Sequence, residues 1–254
     1  MIAGLSYRRS IATPWVRLYC LPYAGGSAAS YLGWVYRLPP GVELRPVELA
    51  GRGMRAGETP HLCASRLSAE IAAHIVQERD PLPYVLFGHS MGGLLAYETA
   101  QELRGCGGPS PQSLVISSAR SPDRWTRDPV QLHRASDAAL VAMLREQGGT
   151  PTEFFDHPDL VARALPVLRA DLQVCETYPD VVRPPLAVPI DVLAGRDDGD
   201  IDEADLVGWR RRTSAECTVR WFDGGHFYYR ESPDALLAAL TAALSCARQR
   251  SLSE

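Results

Sequence analysis

The chain has 254 residues, of which 46% are hydrophobic and 22% charged, and its formal charge is −4 at pH 7. This length suits one α/β domain, and the negative charge argues against nucleic acid as the main partner. All 26 lysine-plus-arginine positions are arginine. Schiff-base catalysis, pyridoxal phosphate attachment and a P-loop are therefore excluded, because each of them needs a lysine.

The sequence indicates neither a membrane span nor a disulfide framework. No run of about 18 apolar residues occurs, and residues 1–9 lack the pattern of a signal peptide. Six cysteines are scattered without C-x-x-C spacing, which is typical of reduced thiols and not of a zinc site. We therefore expect a cytoplasmic protein with no metal and no cofactor.

Short apolar segments that alternate with amphipathic ones predict an α/β fold with a mostly parallel sheet and flanking helices. The predicted strands are 16–21, 42–49, 113–118, 190–194 and 218–222, and residues 84–104 contain a further strand followed by a helix. The other predicted helices are 65–78, 137–146, 158–178 and 233–248. Residues 248–254 form a polar tail that is predicted to fray.

Residues 125–183 interrupt this alternation, because two helical segments follow each other there with no strand between them. We expect a helical lid at this position, inserted between a first core part, 1–124, and a second core part, 184–254, of one domain. The prolines at 122 and at 184–185 are stiff points on either side of the insertion. An ordinary packing insertion without a gating role is the alternative.

Residues 85–93 carry the strongest chemical signal of the chain. An apolar strand leads into Gly-x-Ser-x-Gly, and a helical stretch follows directly. This is the context of a nucleophile elbow, in which a strained strand-to-helix turn lifts a serine hydroxyl above the sheet. Only small residues at Gly88 and Gly92 let the backbone close so tightly. Ser90 is therefore the candidate nucleophile.

A serine nucleophile needs a base, and His226 is the best candidate among six histidines. It follows a predicted strand near the end of the chain, where the order Ser, acid, His of α/β-hydrolases places the base. Gly224 and Gly225 allow its loop to approach Ser90. His89 is adjacent to the nucleophile in sequence, so its side chain is expected to point away and to be structural.

The acid that orients the base is expected on the loop after strand 190–194. Asp198 is our choice and Asp197 the reserve, with the role of accepting an Nδ1–H bond from the imidazole. Asp200 and Asp202 are interpreted as caps of a helix that begins near Glu203.

An oxyanion hole is expected from two backbone N–H groups, that of Met91 and one from the loop after the first strand. Ala24, in the loop 22–26, is our choice for the second donor. The alternative is that Gly25 and Gly26 only form a tight turn.

Five motifs occur in an order that resembles the type II (editing) thioesterases of modular polyketide and nonribosomal peptide synthases. The motifs are residues 21–27, 49–55, 88–93, 193–198 with 209–211, and 224–227. The resemblance covers about residues 17–244. It departs at Ala50, where the family usually has proline before Gly-Arg.

The resemblance implies an α/β-hydrolase fold with a helical lid, and it favours Asp198 because the family's acid follows a Gly-x-x-Asp turn. It also implies a stand-alone enzyme that removes stalled or aberrant acyl groups from the phosphopantetheine of acyl or peptidyl carrier proteins. A monomer is the default expectation for the chain. The lid residues Met143, Leu144, Phe154 and Phe155 either shape an acyl chamber or pack the core.

Two other functions stay open at this point. An ester or amide hydrolase for a free small molecule keeps the same triad and changes only the pocket, because the fold does not fix the substrate. A non-catalytic hydrolase-fold binding protein is the second alternative, although such proteins typically lose a member of the triad.

Overall fold

The computed structural model describes residues 13–78, 82–127, 131–179, 181–231 and 233–251. The expectation of no signal peptide rests on residues 1–9, which lie outside this part, as do 252–254 of the predicted tail. No helix in the described ranges is both long and apolar enough to cross a bilayer.

Within the described residues, six strands form a single sheet in which every pair of neighbours is parallel. The strands are β1 (Val16–Leu21), β2 (Val42–Pro46), β3 (Tyr84–His89), β4 (Ser113–Ser117), β5 (Ile190–Gly195) and β6 (Cys217–Phe222). Their order across the sheet is β2-β1-β3-β4-β5-β6. The predicted α/β class is confirmed, and the sheet of the described chain is entirely parallel.

In the part of the chain that the structure describes, seven α-helices connect and cover the strands. They are α1 (Ala64–Val76), α2 (Met91–Gly105), α3 (Asp137–Gln147), α4 (Pro158–Glu176), α5 (Glu203–Val207), α6 (Tyr228–Glu231) and α7 (Pro233–Ser251). Helix α7 continues to Ser251, so the predicted fraying from residue 248 is wrong for the part of the tail that the structure describes. The short 3-10 helix Ala28–Tyr36 was not predicted.

The sheet separates two apolar cores, because successive side chains of a strand point to opposite faces. On β1, Tyr19 and Leu21 pack with α1 and α2 on one face. Leu18 and Cys20 pack with α7 and with the segment Ala28–Tyr36 on the other face. Strands β1 to β4 are therefore buried on both faces, as expected of a parallel sheet covered by helices, whereas the edge strand β6 is half-buried.

The chain between β4 and β5 contains helices and no strand in its described residues. Helix α4 packs against α3 through a small apolar cluster of Leu140, Leu165 and Leu168. This segment lies over the carboxyl edge of the sheet, since Leu168 contacts the loop that follows β1 at Ala24 and Gly25. We refer to residues 122–176 as the insertion.

Candidate active site

Ser90 lies between the last residue of β3 and the first residue of α2, with φ 55° and ψ −121°. A left-handed φ is rare for a residue with a side chain, and such strain persists only where the surroundings enforce it. Two glycines permit the tight turn. A Cβ on Gly88 would lie 1.9 Å from the Gly92 carbonyl oxygen, and one on Gly92 would lie 2.2 Å from the Leu21 carbonyl oxygen.

His226 and Asp198 meet at the carboxyl edge of the sheet, on the loops that follow β6 and β5. The Nδ1–H of His226 donates a hydrogen bond of 2.8 Å to Asp198 Oδ2. Asp198 Oδ1 accepts a second hydrogen bond, of 3.1 Å, from the Asp200 N–H. Asp198 is buried and Asp197 is exposed. This pairing leaves Nε2 of the neutral imidazole as an acceptor.

Ser90 and His226 line one cavity of about 150 Å³, together with Ala24 and Phe227. No direct hydrogen bond joins Ser90 to His226 in the described part of the chain. Catalytic hydrogen bonds of serine hydrolases are often long without substrate and shorten in the complex. The structure thus brings together the predicted nucleophile, base and acid, and their roles stay predictions.

His89 is fully buried, and its Nδ1 forms a hydrogen bond of 2.9 Å with Ser117 Oγ. Its ring lies at a centroid distance of 4.9 Å from the ring of His226. Burial, followed by the charges of His226 and Arg230, lowers the pKa of His89 well below its ordinary value. The neutral ring of His89 therefore packs against the ring of the candidate base without adding a charge there.

Of the two predicted oxyanion donors, Ala24 lines this cavity, and Met91 directly follows Ser90, which also lines it. Met91 is the first residue of α2, so its N–H has no acceptor within the helix. Ala24 lines the cavity and belongs to the turn in which Gly26 N–H donates to the Tyr23 carbonyl at 2.8 Å. Gly25 has φ +75° in this turn. The loop after β1 therefore forms a tight turn and can also carry a donor. The role of the Ala24 N–H as that donor stays a prediction.

A second cavity, of about 340 Å³, adjoins the first. Both are lined by Tyr23, Ala24, Gln147, Leu168 and Phe227. Of the four lid residues singled out in the sequence, Met143 lines the first cavity, and Leu144 and Phe154 line the second. Phe155 lines neither of the two, and its ring lies 4.1 Å below the guanidinium of Arg145.

Two neighbours of the site were missed in the sequence. Ser118, at the end of β4, has φ 42°, lines the first cavity, and carries a buried hydroxyl without a hydrogen-bond partner among the described residues. Asp171, on α4, accepts a hydrogen bond from the Gly25 N–H. No sequence signal marks either residue, because a serine after a strand and an aspartate in a helix are both common.

Asp200 does not cap a helix, contrary to the prediction. Asp202 caps α5 through a reciprocal pair of hydrogen bonds with Asp205, while Asp200 lines the first cavity. In the described residues, Asp198, Asp200 and His226 could offer ligand atoms to a metal ion within 4.8 Å of one another. Both carboxylate oxygens of Asp198 already accept hydrogen bonds, so the group is better suited to holding an imidazole.

Comparison with known proteins defines the class of this chain. Residues 16–244 match the family model described as the thioesterase domain. The chain is 36% identical to thioesterase PikA5 of Streptomyces venezuelae, over 89% of this chain and 80% of that relative. The fold and these matches define a serine-dependent hydrolase of thioesters with the α/β-hydrolase fold, which rules out a non-catalytic binding protein.

Similarity to solved structures indicates to which type of thioesterase the chain is related. The RedJ thioesterase of the prodiginine pathway in Streptomyces coelicolor has 37% identity and a TM-score of 0.87, over 95% of both chains. The type II thioesterase BorB of the borrelidin cluster has 34% identity and a TM-score of 0.86, over 94% of this chain and 97% of that one. The chain belongs to the thioesterase family, and the resemblance to its type II members is confirmed.

Proposed function

We propose that this protein hydrolyses acyl groups from the phosphopantetheine thioesters of acyl or peptidyl carrier proteins, with Ser90 as nucleophile, His226 as base and Asp198 as the acid that orients it. The observation that carries the proposal is the 2.8 Å bond from His226 Nδ1 to Asp198 Oδ2, beside a cavity shared with a serine in an elbow conformation. The family's known reaction supports the thioester chemistry.

The first half-reaction forms an acyl-enzyme. His226 Nε2 takes the proton of the Ser90 hydroxyl while Oγ attacks the thioester carbonyl carbon. The negative charge that develops on the carbonyl oxygen is stabilised by the N–H groups of Met91 and Ala24. When the tetrahedral intermediate collapses, the carbon–sulfur bond breaks and His226 returns its proton to the departing pantetheine thiol.

The second half-reaction releases the acid. His226 Nε2 accepts a proton from a water molecule, whose oxygen attacks the Ser90 ester and forms a second tetrahedral intermediate. Collapse breaks the bond from the acyl carbon to Ser90 Oγ, and His226 protonates the serine. Asp198 keeps its charge throughout and stabilises the transient imidazolium. The net reaction consumes one water molecule and yields a carboxylic acid and a thiol.

The two cavities suit a substrate that extends in two directions from its thioester. The first cavity contains the reacting groups and has an apolar part formed by Leu132, Met143 and Leu172, which suits an acyl chain. The second includes Ser27 and Ser30, whose hydroxyls suit the amide-rich pantetheine arm. A second volume that adjoins the one with the reacting groups supports a carrier-bound substrate over a small free ester.

The insertion acts in this proposal as the lid of both cavities. Met143, Gln147 and Leu168 come from α3 and α4, and each of them lines at least one cavity. The domain organisation predicted from the sequence, with core parts 1–124 and 184–254 around a lid at 125–183, fits this arrangement. A lid over the cavities shields the acyl-enzyme from much of the bulk water and strengthens electrostatic stabilisation inside the site.

The first test compares the intact protein with Ser90→Ala. Turnover of an acyl-N-acetylcysteamine thioester is expected to fall by about 10³-fold or more, because no acyl-enzyme can form. Mass spectrometry of the intact protein after a fluorophosphonate is added is expected to show one adduct in the wild type and none in the variant. An adduct on Ser90→Ala with the same yield would refute Ser90 as the nucleophile.

The second test presents one acyl group on a carrier protein and on N-acetylcysteamine. A specificity constant at least about tenfold higher for the carrier-bound form is expected, since the arm and the carrier add binding energy that the small thiol lacks. Equal specificity constants for the two forms would contradict the carrier-bound substrate and favour a free small-molecule substrate. The proposed triad would not be affected by this result.

A further inference from the structure

Arg52 and Asp171 form a buried ion pair between the motif 49–55 and helix α4. Arg52 Nη1 donates to Asp171 Oδ2 at 2.6 Å, and Arg52 Nη2 donates to Oδ1 at 2.7 Å. The exposed fractions of the two side chains are 7% and 1%. A two-pronged pair of this kind fixes the orientation of both side chains as well as their distance.

Both partners also hold the backbone of the loop that contains Ala24. The Gly25 N–H donates to Asp171 Oδ2 at 2.7 Å, and Arg52 Nη1 donates to the Gly26 carbonyl at 3.0 Å. The ion pair therefore connects three parts of the chain that are distant in sequence, namely the loop after β1, the motif after β2 and a helix of the insertion.

The loop forms a turn whose type depends on one peptide plane. Gly26 N–H donates to the Tyr23 carbonyl, and Gly25 has φ +75° while Ala24 has a negative φ. These are the features of a type II turn, which differs from type I in the orientation of the central peptide. That peptide joins Ala24 to Gly25. Its N–H, which is that of Gly25, donates the hydrogen bond to Asp171.

We propose that Asp171 and Arg52 are positioning residues that hold the Ala24–Gly25 peptide in the type II orientation and so anchor the turn from Tyr23 to Gly26. The anchored turn fixes the position of the Ala24 N–H, which belongs to the preceding peptide, for the oxyanion. This inference rests on the proposed function of Ser90 and of the oxyanion donors. In a trans peptide the carbonyl points opposite to the N–H. A flipped peptide turns the Ala24 carbonyl toward the Asp171 carboxylate, which repels it.

A role in cohesion alone explains the pair less well. Replacing a buried ion pair by apolar residues is often neutral or stabilising, so burying two charges is a poor way to attach a helix. The hydrogen bond to the Gly25 N–H, in contrast, needs an acceptor at one point in space. Helix α4 thus contributes to the oxyanion hole in addition to covering the cavity.

The test uses Asp171→Asn in the full chain, which keeps the side-chain volume and removes the charge and one acceptor. We expect kcat for an acyl-N-acetylcysteamine thioester to fall about 10- to 100-fold with KM changed less than about threefold, because a misplaced donor acts mainly in the transition state. Affinity for a trifluoromethyl ketone analogue, which forms an oxyanion on Ser90, is expected to fall in the same proportion.

Asp137→Asn is the matched control. Asp137 pairs with Arg169 of α4 at 2.5 Å, so its loss removes an ion pair of the same helix that does not contact the loop after β1. Wild-type kcat and inhibitor affinity are expected for this variant. An equal loss of kcat in Asp137→Asn and Asp171→Asn would mean that any loosening of the insertion has this effect, and the positioning role would be overturned.

A second variant covers the case in which Asp171→Asn does not fold, since a lone buried charge is strongly destabilising. The double variant R52M/D171L removes both charges while filling the space, and the same loss of kcat is expected. Wild-type kcat in a folded variant that lacks the pair would refute the inference. If the wild type shows no thioester hydrolysis that depends on Ser90, the proposed function fails first, which is a different result.

Discussion

The candidate chemistry depends on a few residues whose backbone or burial is unusual. Ser90 has a left-handed φ, and Asp198 is buried beside His226 while its neighbour Asp197 is exposed. The Gly-x-x-Asp motif favours Asp198 over its neighbour in the sequence, and in the structure it is Asp198 that bonds the imidazole. The turn that follows β5 decides this, since consecutive side chains point in different directions.

This difference predicts distinct effects of two matched substitutions. Asp198→Asn is expected to lower kcat by roughly 10³- to 10⁴-fold, because an amide that donates to Nδ1 leaves the imidazole in the wrong tautomer. Asp197→Asn is expected to leave kcat within about twofold of the wild type. Steady-state hydrolysis of one thioester by the three proteins is the measurement. A larger loss of kcat in Asp197→Asn than in Asp198→Asn would mean that Asp197 is the acid that orients His226.

At the scale of elements, α2 begins in crowded backbone and ends in open space. The start of the helix passes close to β1 and β3, so Gly88 and Gly92 have no room for a side chain. Gly105, the last residue of α2, has no atom within 4 Å of the position of its missing Cβ. One helix therefore contains a glycine that the elbow requires and a glycine that only reduces helix stability.

Alanine substitutions at the two ends of α2 are expected to have opposite effects. Gly92→Ala would place a methyl group 2.2 Å from the Leu21 carbonyl oxygen. The backbone has to shift, at a cost of about 3 kcal/mol or more in the free energy of unfolding, and Ser90 loses its position. Gly105→Ala is expected to gain about 0.5 kcal/mol, because alanine restricts the unfolded chain more than glycine does.

Urea denaturation monitored by circular dichroism measures the free energy of unfolding of both variants, and turnover is recorded for the same samples. Normal activity and stability in Gly92→Ala would show that the elbow tolerates a side chain and that the contact distance is not limiting. Gly105→Ala serves as the control for a change of the same size in the same helix.

At the scale of the whole molecule, the parallel sheet buries polar groups that link global stability to pH. His89 is fully buried at the end of β3, and burial lowers its pKa, so it stays neutral in the folded protein. An unfolded histidine has a pKa of about 6.5. Below that pH, His89 binds a proton in the unfolded chain but not in the folded protein. This contribution to stability is therefore present above pH 6.5 and is lost as the pH falls.

His89→Gln is expected to remove this pH dependence. Between pH 7.5 and pH 5.5 the free energy of unfolding of the variant should fall by about 1 kcal/mol less than that of the wild type, because one proton is worth at most about 1.4 kcal/mol per pH unit. The pKa of His74 is also lowered by burial, and its contribution is common to both proteins. Urea unfolding at the two pH values is the measurement.

His157→Gln is the control, because His157 is exposed and its side chain caps no helix. It should retain the difference seen in the wild type. Equal pH dependence in the wild type and in His89→Gln would mean that His89 is protonated in the folded state, contrary to its burial.

The amino-acid sequence by itself determined the local features of this protein. The bounds of β1, the elbow around Ser90 and the helical character of the insertion were predicted because apolar periodicity, glycine positions and turn residues act over a few neighbours. The family followed from motifs of the same short range. These features depend on backbone conformations that adjacent residues control.

Only the tertiary structure decided which distant groups meet. Three contacts depend on the order of strands in the sheet and on the docking of α4: the bond from His226 to Asp198, the packing of the His89 ring against His226, and the Arg52–Asp171 pair across 119 positions. In the sequence, Arg52 is part of the motif 49–55, which says nothing about its partner. Its partner comes from a helix of the insertion, and no periodic pattern specifies where a helix docks, because docking depends on the packing of all layers at once.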